Sequence, residues 1–242
     1  MPEDGVQPHD PDRPDAAADD GSGPSRLPRP GTTADAGTAA RLHAEQIAQG
    51  FLSLLGPRFL RRLYRRICLD PSSFLIVVDG GDGAGGNQAV GFVAGSTDVP
   101  GLYRSFLWRD GIAAALPALG QLVMHWRRVI ETLRHGSSSD GAGTGRGAEL
   151  LAIAVDHRFQ GQGRGRTLVL AFLAEVALRD TNAAHVVVGA DNQGAVALYE
   201  RTGFVPVERF ELHPGVESLL MQWEPAGPGS AGDPAQPAAP SP

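Results

Sequence analysis

Apolar positions recur at helical spacing in two neighbouring stretches of the chain. In 41–55 (RLHAEQIAQGFLSLL) they fall three and four apart, until Gly56-Pro57 interrupts the pattern. In PRFLRRLYRRICLD, which follows, Phe59, Leu60, Leu63, Tyr64 and Ile67 share one face. Arg58, Arg61, Arg62, Arg65 and Arg66 share the other, and Pro57 suits a first helical turn. The period then changes. FLIVVD (74–79) and AVGFVAGS (89–96) are short apolar runs that predict two strands, joined through the glycine-rich tip DGGDGAGGNQ. Farther on, ELLAIAV (149–155) predicts a strand and RTLVLAFLAEVAL (166–178) an amphipathic helix. HVVVGA (185–190) predicts a strand, and NQGAVALYERTG (192–203) a short helix closed by Gly203 in the C-cap position. FVPVERFEL and SLLMQWE read as two closing strands. Strands alternating with helices, then antiparallel strands, predict a mixed α/β domain.

Between the second and third strands lies a long intervening segment, 97–147. It holds Tyr103, Phe106, Trp108 and Trp126, a helical stretch around LPALGQLVMHWRRVIETLRH, and the linker GSSSDGAGTGRG. It could roof a binding site, form the contact of a homodimer, or pack as an extra helix.

Composition changes the picture at the two ends. Residues 1–40 carry seven prolines, eight acids and three arginines, and 225–242 carry six prolines among Ala, Gly and Ser. Neither buries enough apolar surface to offset its ordering entropy, so both are expected to be disordered tails around a domain at 41–224. The first forty residues hold most of the net charge of −6, which leaves the rest nearly neutral and gives no electrostatic reason to expect nucleic acid. No membrane span and no secretory leader are expected, which points to the cytoplasm. The single Cys68 excludes an internal disulfide and a cysteine-based zinc site, and no metal is expected.

The chemistry concentrates in HRFQGQGRGRTLVL (157–170). A strand, a tight glycine turn and a helix present unpaired backbone N–H groups at the positive end of a helix dipole, which suits a phosphate or pyrophosphate. The chain has no lysine, so a P-loop is excluded. A dinucleotide fingerprint counted from Gly161 needs glycine at 166, where Arg166 stands. Asn192-x-x-Ala195-x-x-Leu198-Tyr199, ending in Gly203-Phe204, forms a second signature thirty residues on.

Together these stretches resemble the GNAT superfamily of acetyl-CoA-dependent N-acetyltransferases. Gln160-Gly161-Gln162-Gly163-Arg164-Gly165 matches its pyrophosphate motif, and Asn192–Phe204 matches its second signature. The resemblance implies the GNAT acyl-CoA N-acyltransferase fold, a mixed α/β sheet with a helical insertion before the fourth strand. It implies acetyl-CoA as cosubstrate, with Ile153, Ala154 and Val155 holding the pantetheine arm and Gln160 to Arg166 wrapping the pyrophosphate. Asn192 and Ala195 would border the arm from the other side. Tyr199 stands where the family keeps its general acid, and Glu149 stands at the spacing of a catalytic base, a role that a water also fills in the family. On a period-two strand Glu149 shares a face with Leu151, Ile153 and Val155. His157, His125, His43 and Glu45 are further candidates near the acceptor. The arginine stripe is either a solvated face or a site for an anionic group. The expected acceptor is the primary amine of a small molecule, for instance an amino sugar. A protein N-terminus or lysine, or an acetyl-CoA sensor without turnover, are the alternatives.

Overall fold

The computed structural model describes residues 27–47, 52, 55–81, 88–110, 147–213 and 216–225. Residues 226–242 of the expected C-terminal tail, most of the 97–147 insertion and His125 lie outside these residues. A two-residue edge strand β1 (Arg29–Pro30) leads to α1 (Ala36–Gln46) and α2 (Pro57–Leu69). The hairpin β2 (Ser73–Asp79) and β3 (Ala89–Ser96) follows, then α3 (Val99–Asp110). The second half runs β4 (Ala148–Val155), α4 (Arg164–Leu178), β5 (Ala184–Gly189), α5 (Gln193–Glu200), β6 (Val205–His213) and β7 (Val216–Trp223). The strands form one sheet in the order β1-β2-β3-β4-β5-β7-β6. All pairs are antiparallel except β4 with β5.

The expected tail boundary at residue 40 is corrected. Arg29 makes a fork to Asp35 and another to Asp79, with four nitrogen–oxygen distances of 2.9–3.1 Å, and this clasp ties the first strand to α1 and β2. The guanidinium holds the Asp35 carboxyl below its usual range. Ala36, Ala39 and Ala40 are buried at the start of α1. These small residues form no apolar run, so their burial left no pattern to read.

Two cores flank the sheet. On one face α1, α2 and α3 close over Leu42, Leu60, Leu63, Tyr64, Phe92 and Phe106. On the other, α4 and α5 cover Phe74, Val93, Phe172, Val176, Tyr199 and Phe204. Burial of such side chains stabilises each by about 1.5–3 kcal/mol. The amphipathic reading of α2 holds for four arginines, while Arg66 is buried rather than solvated. The strands expected at 74–79 and 89–96 form an antiparallel hairpin, as the glycine-rich tip between them implied. Among the described residues no helix is long and apolar enough to cross a membrane.

One irregularity decides the site. Ala94 of β3 pairs with Ala152 of β4, but the next residue, Gly95, pairs with Leu150. Leu151 is therefore an extra residue, a β-bulge that turns the strand over. Ala148 and Leu150 pack towards α4, and so do Ile153 and Val155, whereas Leu151, Ala152 and Ala154 pack towards α1 and α2. The period-two expectation is corrected accordingly. Glu149 shares a face with Leu151 but not with Ile153 and Val155.

Candidate active site

The parallel pair β4–β5 is bonded at its start only, Ala148 with Ala184 and Glu149 with His185. Beyond Glu149 the strands part, β5 continuing against β7 and β4 against β3. The β5-facing edge of β4 over 151–155 thus lacks a ladder partner among the described residues, an open length of roughly 16 Å at strand rise. An extended arm carrying amide groups can add to such an edge as a strand would. Ile153, Ala154 and Val155 lie along it.

At the wide end of this opening β4 runs into the glycine loop. Asp156 is buried and caps a single 3-10 turn (His157–Phe159), accepting from Arg158 N at 3.1 Å and from its guanidinium at 2.8 and 3.1 Å. The Arg158 guanidinium holds the Asp156 carboxyl well below the usual carboxylate range. Gln160 donates to Val155 O at 2.9 Å and to Gln46 Oε1 at 3.1 Å, tying the loop to the end of α1. Gly161 (φ 77°) and Gly163 (φ 75°) adopt left-handed backbone, which L side chains rarely do. Gly163 is the N-cap of α4, with no side-chain cap and no acid in the first turn. The backbone N–H groups from Gly161 to Arg166 donate to no other described residue. Unpaired N–H groups, a helix dipole and the exposed Arg166 make a cradle for a multiply charged anion. Arg164 does not point its charge freely into it: its guanidinium donates to Asp79 O at 2.8 Å and lies 5.0 Å from the Phe159 ring centroid.

The residues of the second signature sit across the opening, on α5. Asn192 caps that helix, its carboxamide oxygen accepting from Ala195 N at 3.1 Å, so both residues serve the helix start. Gly165 brings α4 close to α5, an added Cβ standing 3.4 Å from Leu198. The Tyr199 ring is buried against Phe204, and its burial raises the phenol well above its ordinary value. Its hydroxyl has no hydrogen-bond partner among the described residues, yet is not sealed from solvent.

A match to the family model for the acetyltransferase (GNAT) family covers residues 44–204, more than half of the chain. The chain belongs to the GNAT acetyltransferase family. It is also similar to the mycothiol acetyltransferase of Nocardiopsis dassonvillei, 38% identical over 90 residues, which are 35% of this chain and 24% of that protein. The mycothiol acetyltransferase of Corynebacterium kroppenstedtii is 34% identical over 101 residues, 42% of this chain and 26% of that protein. The chain thus spans about a quarter of the length of these relatives. Among solved structures, Arabidopsis thaliana NAA60 in complex with acetyl-CoA aligns with a TM-score of 0.54 at 17% identity, covering 83% of this chain and 99% of that one. A spermidine N-acetyltransferase chimera from Vibrio cholerae and hSSAT gives 0.53 at 17%, covering 83% and 96%.

The open β4 edge and the N–H cradle suit a ligand with an amide-bearing arm and a pyrophosphate, the two polar features of the acetyl-CoA bound by the NAA60 neighbour. No group of three or more His, Cys, Asp or Glu among the described residues is placed to hold a metal. Of the other candidates, Glu149 lies at the closed end of the opening, buried, with Oε2 3.3 Å from His185 Nε2. Burial raises its carboxyl above the ordinary range, and His185 partly counters this. His185 went unnoticed in the sequence because only the parallel register sets it beside Glu149. His157 is exposed beside Asp156. Glu45 is exposed and paired with Arg41 at 2.7 Å. His43 is instead buried in the α1 core.

Proposed function

We propose that the protein is an N-acetyltransferase that moves the acetyl group of acetyl-CoA directly onto the primary amine of a small molecule. The observation that carries the reading is the junction of an open strand edge with an unpaired N–H cradle, at the place where β4 parts from β5. Ile153, Ala154 and Val155 bind the donor's arm through backbone groups. The amides from Gly161 to Arg166 bind its pyrophosphate, and Asn192 and Ala195 set the start of the helix that faces it. A backbone N–H of β4 stabilises the negative charge that develops on the thioester oxygen. Glu149, held by His185, takes the proton lost by the attacking amine. Tyr199, whose phenol burial keeps protonated at rest, hydrogen-bonds the departing thiolate and passes its hydroxyl proton to it. The attack forms one C–N bond and breaks one C–S bond.

The relatives' name, mycothiol acetyltransferase, supports a small-molecule acceptor over a protein. The test is thiol release from acetyl-CoA across amino sugars, polyamines, amino acids and peptides. Turnover confined to peptides would shift the reading to protein acetylation. Tight acetyl-CoA binding without turnover of any amine would shift it to a sensor.

A further inference from the structure

The glycine loop is fastened at both ends, and its first two glycines stand between the fastenings. At the start Gln160 donates to Val155 O and to Gln46 Oε1. At the end stands Arg164, the first residue of α4, whose side chain turns back to the end of β2. Its Nη1 donates to Asp79 O at 2.8 Å, and its guanidinium lies 5.0 Å from the Phe159 ring centroid. A charged donor on a carbonyl is stronger than a neutral one, and the aromatic face adds a cation–π contact. Gly161 and Gly163 lose more conformational freedom on ordering than any other residue type would. A cradle built on them keeps its binding shape only as far as its ends hold it, and any ordering left to do weakens binding.

The carbonyl that Arg164 grips is itself held. β2 leaves its regular register with β3 between Val78 and Asp79. The Asp79 carboxylate accepts from Arg29 Nε at 2.9 Å and from Nη2 at 3.1 Å, while the same guanidinium donates to Asp35 at 2.9 and 3.0 Å. Asp79 therefore works in two directions. Its side chain is fixed by the edge strand β1, and its backbone oxygen fixes the first turn of α4. The described partners of the Arg29 side chain are Pro30, Asp35 and Asp79, none of them in the loop. Arg29 can reach the loop's geometry through Asp79.

We propose that Arg29 and Arg164 are positioning residues for acetyl-CoA, joined through Asp79 into one bridge that keeps the N–H cradle in its binding shape. The inference rests on reading the cradle as the pyrophosphate site and adds to it what sets the cradle's geometry.

The test is calorimetric titration of the full chain with acetyl-CoA, beside a thermal melt of each variant. Arg164→Leu should weaken Kd about 10-fold, the worth of one cradle hydrogen bond turned away. Arg164→Lys, which keeps a charged donor for Asp79 O, should recover part of the loss. Arg179→Leu is the matched control, because Arg179 straps the other end of α4 to β2 in the same manner. It donates to Pro71 O at 2.7 Å and lies 4.7 Å from the Phe74 ring centroid. This variant should lose Tm as Arg164→Leu does, with Kd unchanged. Arg29→Leu, combined with Asp35→Asn so that net charge is kept, should weaken Kd about 3-fold. Adding Arg164→Leu to that pair should bring Kd no lower in affinity than Arg164→Leu alone, since both cut one bridge. Unchanged Kd in the Arg29 or the Arg164 variant, or full additivity of the two, would overturn the bridge while leaving the cradle intact. A wild type that binds no acetyl-CoA would sink cradle and bridge together.

Discussion

Replacing Gly163 by alanine separates the anion cradle from the fold that carries it. The residue sits at φ 75°, ψ −6°, at the N-cap of α4. An added Cβ would meet nothing within 4 Å, so the cost is torsional and not steric. Left-handed backbone costs an L residue about 1–2 kcal/mol. At roughly 2–4 °C per kcal/mol for a domain of this size, Tm should fall by about 2–8 °C. The strain is relieved by rotating φ towards negative values, which turns the flanking N–H groups away from the ligand. Loss of one hydrogen bond to a charged oxygen is worth about 1.5–3 kcal/mol, or roughly a 10- to 100-fold weaker Kd for acetyl-CoA. Gly56→Ala is the control: φ is 84°, a Cβ again meets nothing within 4 Å, and the site is the N-cap of α2. With ψ at 166° it lies in a region that L residues avoid even more than the left-handed helical one, so it should lose at least as much Tm, with unchanged Kd. Calorimetric titration with acetyl-CoA and a thermal melt on both variants decide the matter. A folded Gly163→Ala protein that binds acetyl-CoA as tightly as Gly56→Ala would refute the cradle.

Tyr199→Phe should lower kcat by about 100-fold, the middle of the range for a general acid, with little change in KM for acetyl-CoA. Its hydroxyl has no partner among the described residues, so stability should hardly move; steady-state kinetics showing normal kcat would remove Tyr199 from the mechanism. Glu149 carries a raised pKa from burial, so the folded state keeps this proton where the unfolded chain has released it. Its contribution to stability is full below the unfolded value of about 4.3 and is lost as pH rises through the folded one. As the base it must also ionise, so kcat/KM should climb over that same window. Glu149→Gln should flatten both profiles, as read by urea melts and initial rates at a series of pH values; an unchanged rate profile would exclude it as base. Truncation to Arg41 removes the Arg29 clasp and the buried Ala36, Ala39 and Ala40, and should lower Tm by several degrees, each kcal/mol being worth roughly 2–4 °C. A melt identical to that of the full chain would show the clasp to be without weight.

Much of the donor side was legible in the sequence because its signals are local. The glycines of QGQGRG mark positions where backbone must turn left-handed, and Gly161 and Gly163 do so. Asn192 reads as a helix start and is one, and Gly203 closes α5 at φ 93°. The arginine and apolar faces of α2 follow from a 3.6-residue period, apart from Arg66. Less visible was α3, whose Val99–Asp110 span has no clear stripe, with Trp108 exposed at one end. The edge strand at Arg29–Pro30 was hidden in a composition that reads as a tail, because the clasp joins it to Asp79, fifty residues away.

Torsional preference, capping and periodicity act over three to five residues, and the sequence alone determined what depends on them: the helices and strands other than α3 and the Arg29–Pro30 edge, the N–H cradle and the family they belong to. Strand register and the β4 bulge arise from pairing between segments far apart in the chain. Only the tertiary structure decided which face Glu149 would take, that His185 would stand beside it, that β4 would part from β5, and that Asp79 would bridge Arg29 to Arg164. The donor half of the reaction was therefore written locally, apart from the bridge that holds it, and the acceptor half emerged from packing.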